Sequence, residues 1–176
     1  MSVANLTGML KNSYSDLKAA NILVDNHFRA KVADFGLSQK KQLRGTGTPY
    51  WMAPELLRNE SPQTAASDVY SFGIVLIEVY SRKDPYEGED PSTVLKEVAD
   101  KAIRKRPKIG GNCPSQIQSM ITDCLVDDAG SRPNFEEIDT RLKRIDVNDA
   151  KVVPASGNAR PNRRESLTSM HESLPK

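Results

Sequence analysis

Three short clusters hold the residues best suited to chemistry: Asp16-Leu17-Lys18-Ala19-Ala20-Asn21, Asp34-Phe35-Gly36 and Ala53-Pro54-Glu55. The carboxylate of Asp34 and the amide of Asn21 are hard oxygen donors, and the carboxylate of Asp16 can accept a proton. Such donors suit magnesium, which also keeps waters and phosphate oxygens in its shell. Gly36 permits a turn directly after Asp34. Each aspartate alone would read as a helix cap or turn residue. The order and spacing of the clusters carry the weight.

The elements that must position these groups follow from the pattern around them. Ile22-Leu23-Val24-Asp25 and Ala30-Lys31-Val32-Ala33 are short apolar runs about an Asp/Asn turn, which predicts a β-hairpin. Residues 38–50 are polar and rich in Gly, Thr and Lys, hence loop. A helical turn is expected over 53–58. Ser67-Asp68 opens an apolar segment, 69–80, with Phe72, Val75, Leu76 and Val79 at helical spacing. Apolar residues surround its axis, so this helix should be buried. Ser81 to Pro85 ends it, since proline forbids continuation.

A helix over 91–103 has proline in its first turn. A basic loop follows at 104–112. Helices are expected over 114–125, with Ile117, Met120, Ile121 and Cys124 inward, and over 133–145, with Phe135, Ile138, Leu142 and Ile145 recurring at helical intervals. Residues 151–176 are rich in Pro, Ser, Asn and Arg and poor in large apolar residues. They cannot bury enough surface to offset ordering, which predicts a disordered basic tail over 146–176. The expected fold is mainly α with a short β-hairpin.

The chain has 176 residues and 38% apolar content, enough for one domain with a core. A net charge of +2 does not call for nucleic acid. Cys113 and Cys124 show no zinc spacing and read as buried thiols. No stretch approaches a membrane span, and the N-terminus lacks a long apolar signal region. A cytoplasmic location, or the cytoplasmic side of a membrane within a receptor, is expected. Lys101, Arg104, Lys105, Arg106 and Lys108 form a basic cluster, read as a solvated helix face rather than a site for an acidic partner. Arg163-Arg164-Glu165-Ser166 resembles a basic-directed phosphorylation pattern, with a solvated tail as the plainer reading.

The three clusters, with Asp68-Val69-Tyr70-Ser71-Phe72-Gly73 and Arg132-Pro133 downstream, resemble the catalytic loop, metal-binding turn and activation-segment end of a eukaryotic protein kinase. The resemblance covers 16–145 and is to the larger, C-terminal lobe. Trp51-Met52 and the region from Cys113-Pro114 to Arg132-Pro133 look most like the tyrosine-kinase-like group of Ser/Thr kinases. The resemblance implies ATP and magnesium as cofactors and a protein substrate with a Ser/Thr acceptor, in signal transduction. It implies Asp16 as acceptor of the substrate hydroxyl proton and Lys18 as the charge offsetting the transferred phosphate. Asn21 and Asp34 would be the magnesium ligands, and Leu23 would pack beneath the adenine. Thr48 would hydrogen-bond the catalytic aspartate and lysine. Ser38 and Thr46 are activation-segment positions open to phosphorylation. Glu55 and Arg132 would pair to tie the activation segment to the lower helices. Asp68 would brace the catalytic loop, or cap its helix, or both.

Two departures stand out. The family's catalytic loop begins His-Arg-Asp, whereas this chain reads Tyr14-Ser15-Asp16, which removes the arginine that would grip a phosphorylated activation loop. The Gly-rich loop and strand lysine of the smaller, N-terminal lobe have no counterpart ahead of Asp16. Residues 1–15 are therefore atypical, either a divergent helix or sequence that is not authentic to the family. Two readings stand. One is a Ser/Thr kinase lobe, inactive as a fragment. The other is a kinase-homology regulatory module, for example ahead of a cyclase, with Leu167, Met170 and Leu174 starting a connecting helix. Parent-protein domains upstream and downstream fit either reading.

Overall fold

The computed structural model describes residues 17–27, 29–32 and 49–145. Asp16, Asp34, Ser38, Thr46 and Thr48 lie outside the described residues, as do segment 1–15 and the tail 146–176. Strands β1 (Ile22–Val24) and β2 (Ala30–Val32) form an antiparallel pair with Leu23 opposite Lys31. Asp25 makes the turn: its Oδ1 accepts the backbone N–H of His27 at 2.9 Å and of Arg29 at 3.0 Å. A 3-10 turn, Ala19–Asn21, leads directly into β1.

Five helices follow in the described chain: α1 (Pro54–Leu57), α2 (Ala65–Ser81), α3 (Pro91–Ala99), α4 (Ser115–Cys124) and α5 (Phe135–Lys143). This is the helix-rich fold with a small hairpin that the sequence predicts. Its centre is α2, in which Val69, Tyr70, Phe72, Ile74, Val75 and Ile77 are buried. It packs on α4 and on both 3-10 turns, 19–21 and 129–131. Gly73 marks a close approach of α2 to the end of α4. A Cβ there would lie 2.9 Å from Cβ of Cys124 and 3.0 Å from Cδ2 of Leu125, so the two helices meet where a side chain is missing. Phe72 meets Phe135 of α5 edge-on at 5.9 Å. A second, smaller cluster gathers Tyr86, Val94 and Val98 with Tyr50 and Leu57, joining α3 to α1.

Several boundaries differ from expectation. Helix α2 starts at Ala65, because Thr64 caps it in a reciprocal box with Ser67; Asp68 lies in the first turn and is not the cap. The helix ends at Ser81 because Arg82 adopts a left-handed conformation (φ 59°), three residues before Pro85. Val79 is 41% exposed and does not join the core. Helix α3 stops at Ala99, four residues early. The Asp100 side chain accepts the N–H groups of Ala102 and Ile103, offering the backbone a turn in place of a further helical turn.

The basic cluster is not a helix face either. Lys101 pairs with Glu60, Lys105 with Glu89 and Glu97, and Arg106 donates to Leu125 O at 2.8 Å. These residues follow α3 in turn and loop, where they tie the loop to its neighbours.

Both cysteines are buried free thiols. Burial pushes the Cys124 thiol up to about 12 from an ordinary 9.0. The unfolded chain therefore loses this proton first. The contribution of Cys124 to stability is full below pH 9 and falls as pH rises from there towards 12. Cys124 is expected to resist a thiol-specific disulfide reagent at pH 8 in the folded chain and to react fully in denaturant. Rapid labelling without denaturant would contradict the burial.

Candidate active site

The site is assembled on α2. Lys18 sits at the start of the 3-10 turn in extended conformation, and Asn21 closes that turn with its N–H to Lys18 O at 2.9 Å. Lys18 and Asn21 are thus held at the two ends of one short turn. Leu17, just before, is buried in the main core and anchors the stretch from below. Leu23 follows on β1 and is 57% exposed, an apolar surface beside the turn. Candidate transfer residues Lys18 and Asn21 and the candidate adenine platform Leu23 therefore share one continuous stretch of chain. Asp16 and Asp34, the other two candidate chemical groups, lie outside the described residues, so the structure does not place them against Asn21. Among the described residues no cluster of three or more His, Cys, Asp or Glu could hold a metal ion. Oxygen donors of the Asn21 and Asp34 type are nevertheless the kind magnesium takes.

Asp68 is fully buried and accepts Nε2–H of Gln63 at 2.7 Å. Glu55, in the first turn of α1, and Arg132 form a bidentate pair with both N–O distances 2.7 Å. Residue exposures are 6% and 7%. Arg132 also donates through Nε to Val126 O at 3.0 Å, through Nη1 to Ala66 O at 2.9 Å and through Nη2 to Asp127 O at 3.2 Å. All five N–H groups of the guanidinium are used, which is the condition under which a buried charge is well compensated. Its plane lies over the ring of Tyr70, as does the guanidinium of Arg106, each 5.2 Å from the ring centre.

Sequence reasoning missed two residues that organise this surroundings. Asp127 receives Arg58 through both oxygens at 3.3 Å and Arg106 at 3.5 Å, so three arginines converge on the segment after α4. Glu78 of α2 accepts from both Trp51 and the Ala19 backbone. Neither is flagged by a motif. For Glu78 the one hint was an acid within the apolar run that follows Asp68.

A family model for protein tyrosine and serine/threonine kinases matches residues 11–142. The chain belongs to this family. Among its relatives, the probable serine/threonine-protein kinase drkC of Dictyostelium discoideum is 40% identical over 140 residues, covering 75% of this chain and 18% of that protein. The probable serine/threonine-protein kinase drkA of the same organism is 42% identical over 137 residues, covering 76% and 21%. The serine/threonine-protein kinase CTR1 of Arabidopsis thaliana is 40% identical over 138 residues, covering 75% and 16%. The chain thus spans about a fifth or less of these curated relatives. The matched stretch is helix-rich with a two-stranded sheet, an incomplete kinase fold, and these relatives are named as serine/threonine-protein kinases. Among the described residues no helix is long and apolar enough to cross a membrane.

Proposed function

We propose that residues 16–145 are the larger lobe of a Ser/Thr protein kinase catalytic domain, acting in signal transduction in the cytoplasm or, within a receptor, on the cytoplasmic side of a membrane. The observation that carries the reading is the Lys18–Asn21 turn, with an exposed Leu23 beside it, in a chain of the kinase family. Asp16 would take the proton of a substrate Ser or Thr hydroxyl as its oxygen attacks the γ-phosphorus of ATP. The bond from that phosphorus to the bridging oxygen breaks, and ADP leaves. Lys18 would offset charge on the transferring group. Asn21 and Asp34 would hold magnesium, which neutralises phosphate charge when bound. Leu23 would support the adenine.

Thr48 would bond Asp16 and Lys18, which favours Ser/Thr over Tyr acceptors. Ser38 and Thr46 would be the phosphorylated positions of the activation segment, without the usual arginine to receive them. Glu55, Arg132 and Asp68 would hold the segment and the catalytic loop to the helices. Glu55 and Arg132 are already paired across 77 residues of sequence. Presence of all four chemical residue types favours an enzyme over a regulatory kinase-homology module.

The test joins this chain to an upstream smaller lobe carrying a Gly-rich loop and strand lysine. With labelled ATP, magnesium and a mixed-acceptor protein, phosphate is expected on Ser and Thr. An Asp34→Ala variant should lose activity by two orders of magnitude or more. Phosphotyrosine as the main product, or activity that survives Asp34→Ala, would overturn the assignment.

A further inference from the structure

We infer that Glu78 is a positioning residue that clasps the Lys18–Asn21 turn to Trp51, so that the loop of the proposed transfer site and the chain entering α1 are held through one carboxylate oxygen. Oε2 accepts the indole Nε1–H of Trp51 at 2.7 Å and the backbone N–H of Ala19 at 3.3 Å. Ala19 is the first residue of the turn and follows Lys18 directly, so its N–H fixes the peptide that carries Lys18. Trp51 is held at a second point on the same helix, where the Ser71 hydroxyl donates to Trp51 O at 2.8 Å.

The acceptor is therefore on a rigid element. Its two donors come from separate stretches that no described backbone hydrogen bond joins. Burial, with the nearby charge of Asp84, keeps the Glu78 carboxyl above its ordinary pKa although the bonds from Trp51 and Ala19 pull it down. The geometry, one carboxylate oxygen shared by the indole and the turn amide, offers positioning as its role. A clasp of this form couples the two stretches: release of the Trp51 ring frees the carboxylate, and a free carboxylate holds Ala19 less well. The functional meaning rests on the kinase reading of Lys18, whereas the clasp itself does not.

The experiment uses the isotopically labelled 1–176 chain without nucleotide. Amide exchange at Ala19 is followed by NMR, and emission is followed from Trp51, the only tryptophan in the sequence. Hydrogen bonds to a charged group predict that Glu78→Ala speeds Ala19 exchange about tenfold, with Glu78→Gln intermediate because its amide keeps an acceptor oxygen. Trp51→Phe, which lacks the N–H donor, should also speed Ala19 exchange severalfold, while amides of α5 keep their rates. Trp51 emission should shift to the red in both Glu78 variants.

Unchanged Ala19 exchange in Glu78→Ala would overturn the clasp. So would acceleration in Glu78→Ala without any in Trp51→Phe, since the coupling would then be absent. Equal acceleration of α5 amides in Glu78→Gln would reduce Glu78 to a global structural residue and overturn it as well. None of these readouts involves phosphate transfer. A clasp intact in exchange, in a two-lobed chain that transfers nothing, would sink the kinase reading alone.

Discussion

Replacing Arg132 by alanine is expected to destabilise the fold by about 3–5 kcal/mol, because it strands the buried Glu55 carboxylate. The carboxylate receives both of its short guanidinium bonds from Arg132. Loss of Arg132 also uncaps the carbonyls of Ala66, Val126 and Asp127, three backbone acceptors in or beside the core. A surface arginine such as Arg144 should change stability by no more than about 0.5 kcal/mol on the same substitution. Lysine is no substitute, since a single ammonium cannot serve both carboxylate oxygens and three carbonyls. Urea unfolding of Arg132→Ala, Glu55→Ala and the double variant checks the account. The double variant should be much less destabilised than the sum of the two, as each single change strands the other charge. A loss under 1 kcal/mol in Arg132→Ala would refute it.

The 1–176 polypeptide assayed by itself is expected to show no detectable ATP-dependent phosphorylation of a generic Ser/Thr substrate. Near-attack positioning can contribute about 7–11 kcal/mol to such a step. Among kinases, the cover over the phosphates, the lysine that contacts them and the glutamate that orients that lysine come from the smaller lobe. The sequence ahead of Asp16 contains no Gly-rich loop to act as that cover. Leu23 is an exposed apolar residue beside the Lys18–Asn21 turn. The assay uses purified chain, labelled ATP and magnesium, with Asp34→Ala as control. Robust transfer that vanishes in the control would show that half the clamp suffices.

The fold was legible wherever side-chain periodicity decides the outcome. Helix α4 was predicted within a residue at each end because Ile117, Met120, Ile121 and Cys124 mark one face and all four are buried. It was less legible where a single polar side chain competes with the helix. Asp100 ended α3 early, and Thr64 with Ser67 began α2 ahead of its apolar run. Serine in the reciprocal position is not the Glu or Gln that a capping box usually shows, so the signal was faint. The candidate site was readable as an ordered set of motifs. The residues that support it were not. Glu78 and Asp127 act through contacts between segments far apart in sequence, and no local pattern records such a contact.

The Glu55–Arg132 pair also has a kinetic side. Its partners are 77 residues apart, and α2, α3 and α4 all lie inside the loop that it closes. Drawing two such distant points together has an entropic cost that must be met before the contact can form. The pair is thus placed to lock the assembly late, after the helices between have packed. A lock of that kind does little to hasten folding and much to delay escape from the native state. Its loss should therefore appear mainly on the unfolding limb of a chevron, and the native chain should owe its lifetime, more than its speed of formation, to one buried guanidinium.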